Sequence, residues 1–220
     1  MKRLFSFFVL FGIAQNYIYS QSKFNIGLDI GPSINYLKGS KELDFKSIEY
    51  SRVGYVVGVN CEYKITANLY IKTGIGYEQK GAKYKDAPYY DMSTLTMIGK
   101  STRQYQIDYL TIPLIVKLST KGRNRFFINI GVYTGYLLKA ISTQDAVAGY
   151  PALENDWMSS ANKWDLGILS GAGYCRSLTD KLYLGCEIRD NMGLKQLWNI
   201  KGSYSKPNSI GLCFFIKYDL

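Results

Sequence analysis

The chain has 220 residues, 47 % of them apolar, with 27 Lys and Arg, 17 Asp and Glu and no histidine. That length makes one good-sized domain, and no composition break or Pro/Ser linker divides it. A formal charge of +10 would suit nucleic acid, but the cations are dispersed, and the missing histidine removes the general base on which most barrel lipases, deacylases and proteases depend.

Residues 1–20 read as an export signal: Lys2 and Arg3 form a positive start, Leu4 to Ala14 an apolar core, and Ser20 a small residue before Gln21. The core is too short for a membrane helix, which needs about 20 apolar residues. Removing Lys2 and Arg3 takes the formal charge from +10 to +8. Residues 21–220 are then expected to form a single barrel domain. An export signal also argues against nucleic acid as a partner.

Eight segments follow, each alternating apolar with small or polar residues at a period of two, as strands require. The first sets Phe24, Ile26, Leu28 and Ile30 against Asn25, Gly27, Asp29 and Gly31. The second sets Val53, Tyr55, Val57, Val59, Cys61 and Tyr63 against Gly54, Gly58, Asn60, Glu62 and Lys64. The third opposes Leu69, Ile71 and Ile75 to Lys72, Gly74, Gly76 and Glu78, and the fourth Leu110, Ile112, Leu114, Val116 and Leu118 to Thr111, Pro113 and Lys117. In the fifth, Phe126, Ile128, Ile130 and Val132 face away from Asn129, Gly131, Tyr133 and Gly135. The sixth pairs Trp164, Leu166, Ile168, Ala172 and Tyr174 with Asp165, Gly167, Gly171 and Gly173 on the other side. The seventh does so with Leu182, Leu184, Cys186 and Ile188 against Tyr183, Gly185, Glu187 and Arg189. The last sets Ile210, Leu212, Phe214, Ile216, Tyr218 and Leu220 against Ser209, Gly211, Lys217 and Asp219.

The connections alternate in length. Tight ones fall near Thr66 to Asn68, Thr120 to Arg125 and Ser177 to Lys181; long ones run from about Lys38 to Tyr50, Lys85 to Gln104, Lys139 to Lys163 and Gly193 to Pro207. Short turns at one rim and long loops at the other are the outline of an all-β, eight-stranded, antiparallel up-and-down transmembrane β-barrel. A soluble ligand-binding barrel has the same period with its apolar face inside. Volume favours the membrane orientation, because an eight-stranded barrel has an interior that side chains just fill, and the Leu, Ile, Val, Phe and Tyr set is too bulky for it. The glycines, set inward, relieve crowding there. Tyr63, Phe126, Tyr174 and Tyr218 near the tight-turn rim, and Tyr36, Tyr77, Tyr136 and Trp164 near the loop rim, suit the two bilayer interfaces. Pro32 and Pro113 lie inside strands, where each removes a ladder donor, so bulges or bends are expected at both.

The run Asp108-Tyr109-Leu110-Thr111-Ile112-Pro113-Leu114-Ile115-Val116-Lys117 resembles the Tyr-Leu-x-Ile-Pro-Leu-Leu-x-Lys strand of the PorT-like outer-membrane β-barrel family. Gly131 to Leu138 and Trp164 to Gly173 are similar to its next two strands, and the resemblance extends from about Gln21 to Leu220. It implies a barrel in the outer membrane of a Gram-negative bacterium, in a family with members associated with protein secretion. This chain departs from the pattern at its last residue, Leu220, where such barrels commonly end in an aromatic. No residue carrying the secretion role is identifiable.

Chemistry is sparse. Cys61, Cys175, Cys186 and Cys213 lack metal-binding spacing, and their strand phases place neighbours 175 and 186 on opposite faces, so all four are expected as free thiols. Gly74-Ile75-Gly76 and Gly171-Ala172-Gly173 precede no helix and so lack the context of a phosphate loop. No cofactor or metal is expected. Asp29, Glu62, Lys64, Lys72, Glu78, Lys117, Asp165, Glu187, Arg189 and Lys217 share the inward phase and are expected to form a polar network that closes the lumen. Tyr89, Tyr90, Trp157 and Met158 are candidate loop anchors, and Lys195, Lys201 and Lys206 make the fourth loop basic, suited to an anionic membrane surface. The expected function is a non-enzymatic, monomeric barrel embedded in outer-membrane lipid, serving as anchor, assembly or interaction partner through its loops or periplasmic turns. A small diffusion channel is the alternative.

Overall fold

A computed structural model describes residues 23–39, 48–91, 93–94, 96–147, 149–198 and 205–220; residues 1–20 and Lys201 fall outside this set. The described residues form nine strands: β1 (Phe24–Lys38), β2 (Ile48–Lys64), β3 (Leu69–Tyr90), β4 (Met97–Ser119), β5 (Asn124–Gln144), β6 (Leu153–Asp156), β7 (Trp164–Ser177), β8 (Leu182–Gly193) and β9 (Lys206–Asp219). All pairings are antiparallel. Eight strands close a ring in the order β1-β2-β3-β4-β5-β7-β8-β9, because β4 pairs with β5 and β9 with β1. Closure leaves no backbone edge for lipid to face, which is the condition for strands to cross a bilayer.

The exterior of the ring is apolar. Val53, Ile75, Leu114, Ile128, Ile130 and Ile188 are among its exposed side chains, while the opposite phase of each strand is buried. Aromatic pairs mark both rims: Phe24–Tyr63 and Phe126–Tyr174 on the turn side, with centroids 4.9 and 5.2 Å apart, and Tyr55–Tyr77 and Tyr136–Trp164 on the loop side, at 5.6 and 5.1 Å. Along β7, Trp164 and Tyr174 lie ten residues apart. At ~3.3 Å rise and ~40° tilt that separation is about 25 Å along the membrane normal, the height of an outer-membrane apolar band. The turns close through local bonds; Thr66 Oγ1 accepts from the Asn68 and Leu69 amides, and Thr179 Oγ1 from those of Lys181 and Leu182.

Two expectations are corrected. The stretch Lys85 to Gln104 is no loop: β3 and β4 stay paired up to Tyr90 and Met97, so the hairpin stands well beyond the membrane. β5 also continues to Gln144, where the short β6 joins it outside the ring. Nor do Pro32 and Pro113 make bulges. Pairing lapses beside them, between Ile30/Phe214 and Ser33/Gly211 and between Thr73/Leu114 and Gly76/Thr111, yet the register is unchanged across both gaps. The intact ladder on either side holds the strands, and Thr73 Oγ1 donates to the Pro113 carbonyl at 2.8 Å. The register shifts fall instead between Ser51 and Val56, Tyr84 and Ala87, Tyr89 and Tyr90, and Asp108 and Tyr109. They cluster where the strands leave the membrane band. Gly81 lies among them with φ 141°, and a Cβ there would run into the Tyr105 carbonyl, so only glycine fits.

Candidate functional site: the filled lumen

Period-two strands with glycines on one face give a narrow interior into which every second side chain projects. The structure places Asp29, Glu62, Lys72, Glu78, Lys117, Asp165, Glu187, Arg189 and Lys217 there, all buried. They form three groups along the barrel axis.

Nearest the tight turns, Glu62 accepts from Lys117 Nζ at 2.8 Å and Lys217 Nζ at 3.0 Å. Two cations on one carboxylate leave an excess positive charge, and aromatic faces meet it: Lys117 Nζ lies 4.2 Å from the Phe127 ring centroid and Lys217 Nζ 5.0 Å from that of Tyr183. In the middle, Asp29 accepts from Asn60 Nδ2 at 2.8 Å, Arg189 Nη2 at 3.0 Å and Lys72 Nζ at 3.2 Å. Arg189 also grips Glu187 through Nε and Nη2, both at 3.0 Å. Its planar fork thus ties two carboxylates together. Towards the loops, Glu78 accepts from Asn191 Nδ2 at 2.8 Å and from Ser209 Oγ. Lys80 donates to Tyr133 OH at 2.8 Å and to Asp165 Oδ2 at 3.2 Å, and lies 3.7 Å from Glu78; the Tyr133 hydroxyl donates to the same Asp165 oxygen at 3.0 Å.

The list of inward charges read from the pattern needs one exchange. Lys64 is half-buried at the turn rim, where its amide bonds the Lys23 carbonyl, and it takes part in none of these ion pairs. Lys80, fully buried, takes its place. Lys80 shares the phase of Lys72 and Glu78, so extending the period by one more step would have found it. With that exchange the described residues place five carboxylates (Asp29, Glu62, Glu78, Asp165, Glu187) and five cations (Lys72, Lys80, Lys117, Arg189, Lys217) in the lumen, in keeping with the requirement that buried charges be paired. A cavity of about 30 Å³ remains, bordered by Asp29, Asn60, Lys72, Glu78, Arg189 and Asn191. That is room on the scale of one or two waters.

Above the ionic groups the interior turns apolar. Ala82, Tyr84, Tyr105, Ile107, Leu137 and Ala140 form a buried cluster inside the extended strands, with Trp157, Met158 and Trp198 packed against it. Trp157 stacks edge-on against Trp198 at 5.8 Å and donates Nε1–H to Ser142 Oγ at 2.8 Å. The segments carrying these rings are joined across the mouth by Asn162 N to Leu197 O at 2.7 Å. Polarity therefore inverts along each long strand: in β3 the outward series runs from Ile71 and Ile75 to Lys83 and Lys85, while the inward series runs from Lys72 and Glu78 to Ala82 and Tyr84. The inversion marks where lipid ends and water begins.

It also changes the standing of the loop anchors. Tyr89 is 2 % exposed and donates its hydroxyl to the Pro151 carbonyl at 2.6 Å, and Trp157 closes the mouth, so both are used internally. Tyr90 and Met158 are half-buried, Lys195 is exposed, and Lys206 is half-buried at the start of β9. Cys175 and Cys213 are buried in the lumen, Cys61 and Cys186 sit on the outward phase, and all four are free thiols. Among the described residues no cluster of three or more His, Cys, Asp or Glu side chains fits a metal ion.

A closed ring with an apolar exterior narrows the comparison with known proteins to membrane barrels. A model of the outer membrane protein beta-barrel domain matches residues 14–199. The chain belongs to that family. No curated protein matches the sequence. Among solved structures, Neisserial surface protein A aligns with a TM-score of 0.50 at 11 % identity, over 91 % of this chain and 99 % of that one. Ail of Yersinia pestis aligns at 0.46 and 11 %, over 90 % and 98 % of the two chains, and OprG of Pseudomonas aeruginosa at 0.45 and 10 %, over 90 % and 96 %. At such identity the likeness shows fold alone. This outer membrane barrel lies in the Gram-negative outer membrane, embedded in its lipid.

Proposed function

We propose that this outer membrane barrel is a non-enzymatic anchor and interaction protein whose lumen passes no solute. The observation that supports the reading is the ionic packing of the described interior: five carboxylates paired with five cations beneath an apolar cluster, with a cavity of about 30 Å³ bordered by several of them. A diffusion channel needs a continuous wet path, and paired charges beneath an apolar cluster work against one. The paired β3–β4 hairpin and the β5–β6 pair extend on the loop side, whereas the described connections at the opposite rim are tight turns. A folded wall of this kind is a better recognition surface than four-residue turns, so the partner is assigned to the loop side. The resemblance to PorT-like barrels makes a component of a secretion apparatus the first partner class to test.

Two measurements check the reading. In reconstituted liposomes the protein should neither permit sugar-driven swelling nor expose Cys175 and Cys213 to a charged, membrane-impermeant thiol reagent. Swelling together with labelling of those thiols would establish the channel instead. In intact cells, crosslinkers placed along the β3–β4 hairpin should capture a protein that crosslinkers in the tight turns do not.

A further inference from the structure

Closure completes the backbone within one chain, but among the described residues a carboxyl oxygen in the outward phase, Asp190 Oδ1, is left without a hydrogen bond. Asp190 lies on β8 between Ile188, 63 % exposed, and Met192, 38 % exposed, in the same outward phase. Its register neighbour on β7 is Ser170, also outward and exposed, and its neighbour on β9 is the exposed Ile210. Ser170 is four residues from Tyr174 at the turn rim and six from Trp164 at the loop rim. The pair therefore sits within the apolar band. Asp190 Oδ1 is buried against the barrel wall with no hydrogen-bond partner. Within the barrel Asp190 Oδ1 makes no hydrogen bond, although Ser170 stands opposite in register, and lipid tails have no donor to give. An ionisable group at that depth is costly and calls for a partner within the membrane.

We propose that Asp190 and Ser170 form the centre of an interface between two copies of this barrel. The argument is self-complementarity. A two-fold axis along the membrane normal, passing between β7 and β8, sets Ser170 of each copy against Asp190 of the other, giving two hydroxyl-to-carboxylate bonds from groups unpaired in the single barrel. The next outward rung repeats the logic in shape: Ala172 pairs in register with Ile188, so the same axis brings the small residue of each copy to the prominent one of the other. Small residues that permit close approach, with polar groups bonding across the contact, are what membrane-embedded interfaces use. No Lys or Arg occupies the outward phase of β7 or β8 between Trp164 and Tyr174 or between Leu182 and Met192, so the match for Asp190 in a second copy is the hydroxyl rather than a cation.

The test is Förster transfer between labelled full-length proteins in phosphatidylcholine/phosphatidylglycerol vesicles over a range of lipid-to-protein ratios, with folding of each variant verified by heat-modifiable gel mobility. Wild type should self-associate, and Asp190→Leu and Ser170→Ala should each weaken association about tenfold or more. Mixing the two variants is the decisive arm. A mixed pair keeps one intact Ser170–Asp190 bond whereas either variant with itself keeps none, so mixed pairs should exceed the random proportion. Wild type that stays single at every ratio, Asp190→Leu that associates like wild type, or random mixing would each overturn the proposal. So would Asp190-dependent association with a different membrane protein in place of self-association.

Discussion

Replacing Glu62 by Gln keeps the shape of the turn-side group and removes its only negative charge. Lys117 and Lys217 would remain 2.8 and 3.0 Å from the amide, as two cations in a space where neither side chain is more than 4 % exposed. At those separations each attraction is on the order of 5 kcal/mol at an effective dielectric of about 20, most of it offset by the desolvation of the three groups. Removing one partner of such a buried set typically costs about 3–5 kcal/mol, because the remaining charges stay buried without compensation. The Phe127 and Tyr183 faces hold part of the excess charge and should keep the loss towards the lower end. Urea unfolding of protein in vesicles, followed by gel mobility and tryptophan fluorescence, measures it. The triple variant Glu62→Leu, Lys117→Met, Lys217→Met removes the charges together and should recover to within ~1 kcal/mol of wild type. A Glu62→Gln protein as stable as wild type, or a triple variant as unstable as the single, would refute the charge-pairing argument.

Lys80→Met should cost about 3–5 kcal/mol in the same assay, since Glu78 and Asp165 then face each other without their cation, whereas Lys64→Met at the turn rim should change stability by no more than ~0.5 kcal/mol. Outside the membrane, Asp91 ties the β3–β4 hairpin tip to the neighbouring loop: the Ser93 amide and hydroxyl donate to it at 2.8 and 2.6 Å, and Tyr150 OH at 3.3 Å. The Ser93 bonds hold the Asp91 carboxyl below its ordinary pKa, and Asp91 in turn raises that of the Tyr150 phenol. A depressed carboxyl stabilises the tie at pH above its unfolded value and loses that effect as pH falls through the folded one. Hydrogen exchange of the Ser93 amide, corrected for intrinsic rate, should therefore quicken on acidification below the ordinary aspartate range and stay slow at neutral pH.

The membrane part of this fold is legible because one rule holds: the outward face of each crossing strand is mostly apolar at a period of two, as from Phe24 to Ile34, even though Ile115 and Leu169, and Phe127 and Phe215, pack inward among the polar residues. The rest hid where the rule changes sign. Beyond Gln79 the outward positions of β3 become Lys83 and Lys85 and the inward ones Ala82 and Tyr84; the period survives, but its apolar face changes sides, so paired strand carries the pattern of a loop. The same break hid Lys80, one step past Glu78 in an unbroken phase. Tyr89 and Trp157 looked like exposed anchors because a loop aromatic carries no local sign that a facing strand will bury it. Asp190 escaped because the outward series of β8 was followed only as far as Ile188. The prolines misled for another reason: each removes a single ladder donor, and the bonds on either side were enough to hold register.

On the proposed function the interior is packed from the tight turns to the loop-side cap and carries no current. Single-channel recording of the purified protein in planar bilayers tests it most directly. A filled lumen predicts a membrane that stays at baseline in molar salt, with conductance steps appearing only when the ionic groups are removed together with the cap. Stable, ohmic steps from the wild-type protein would contradict it.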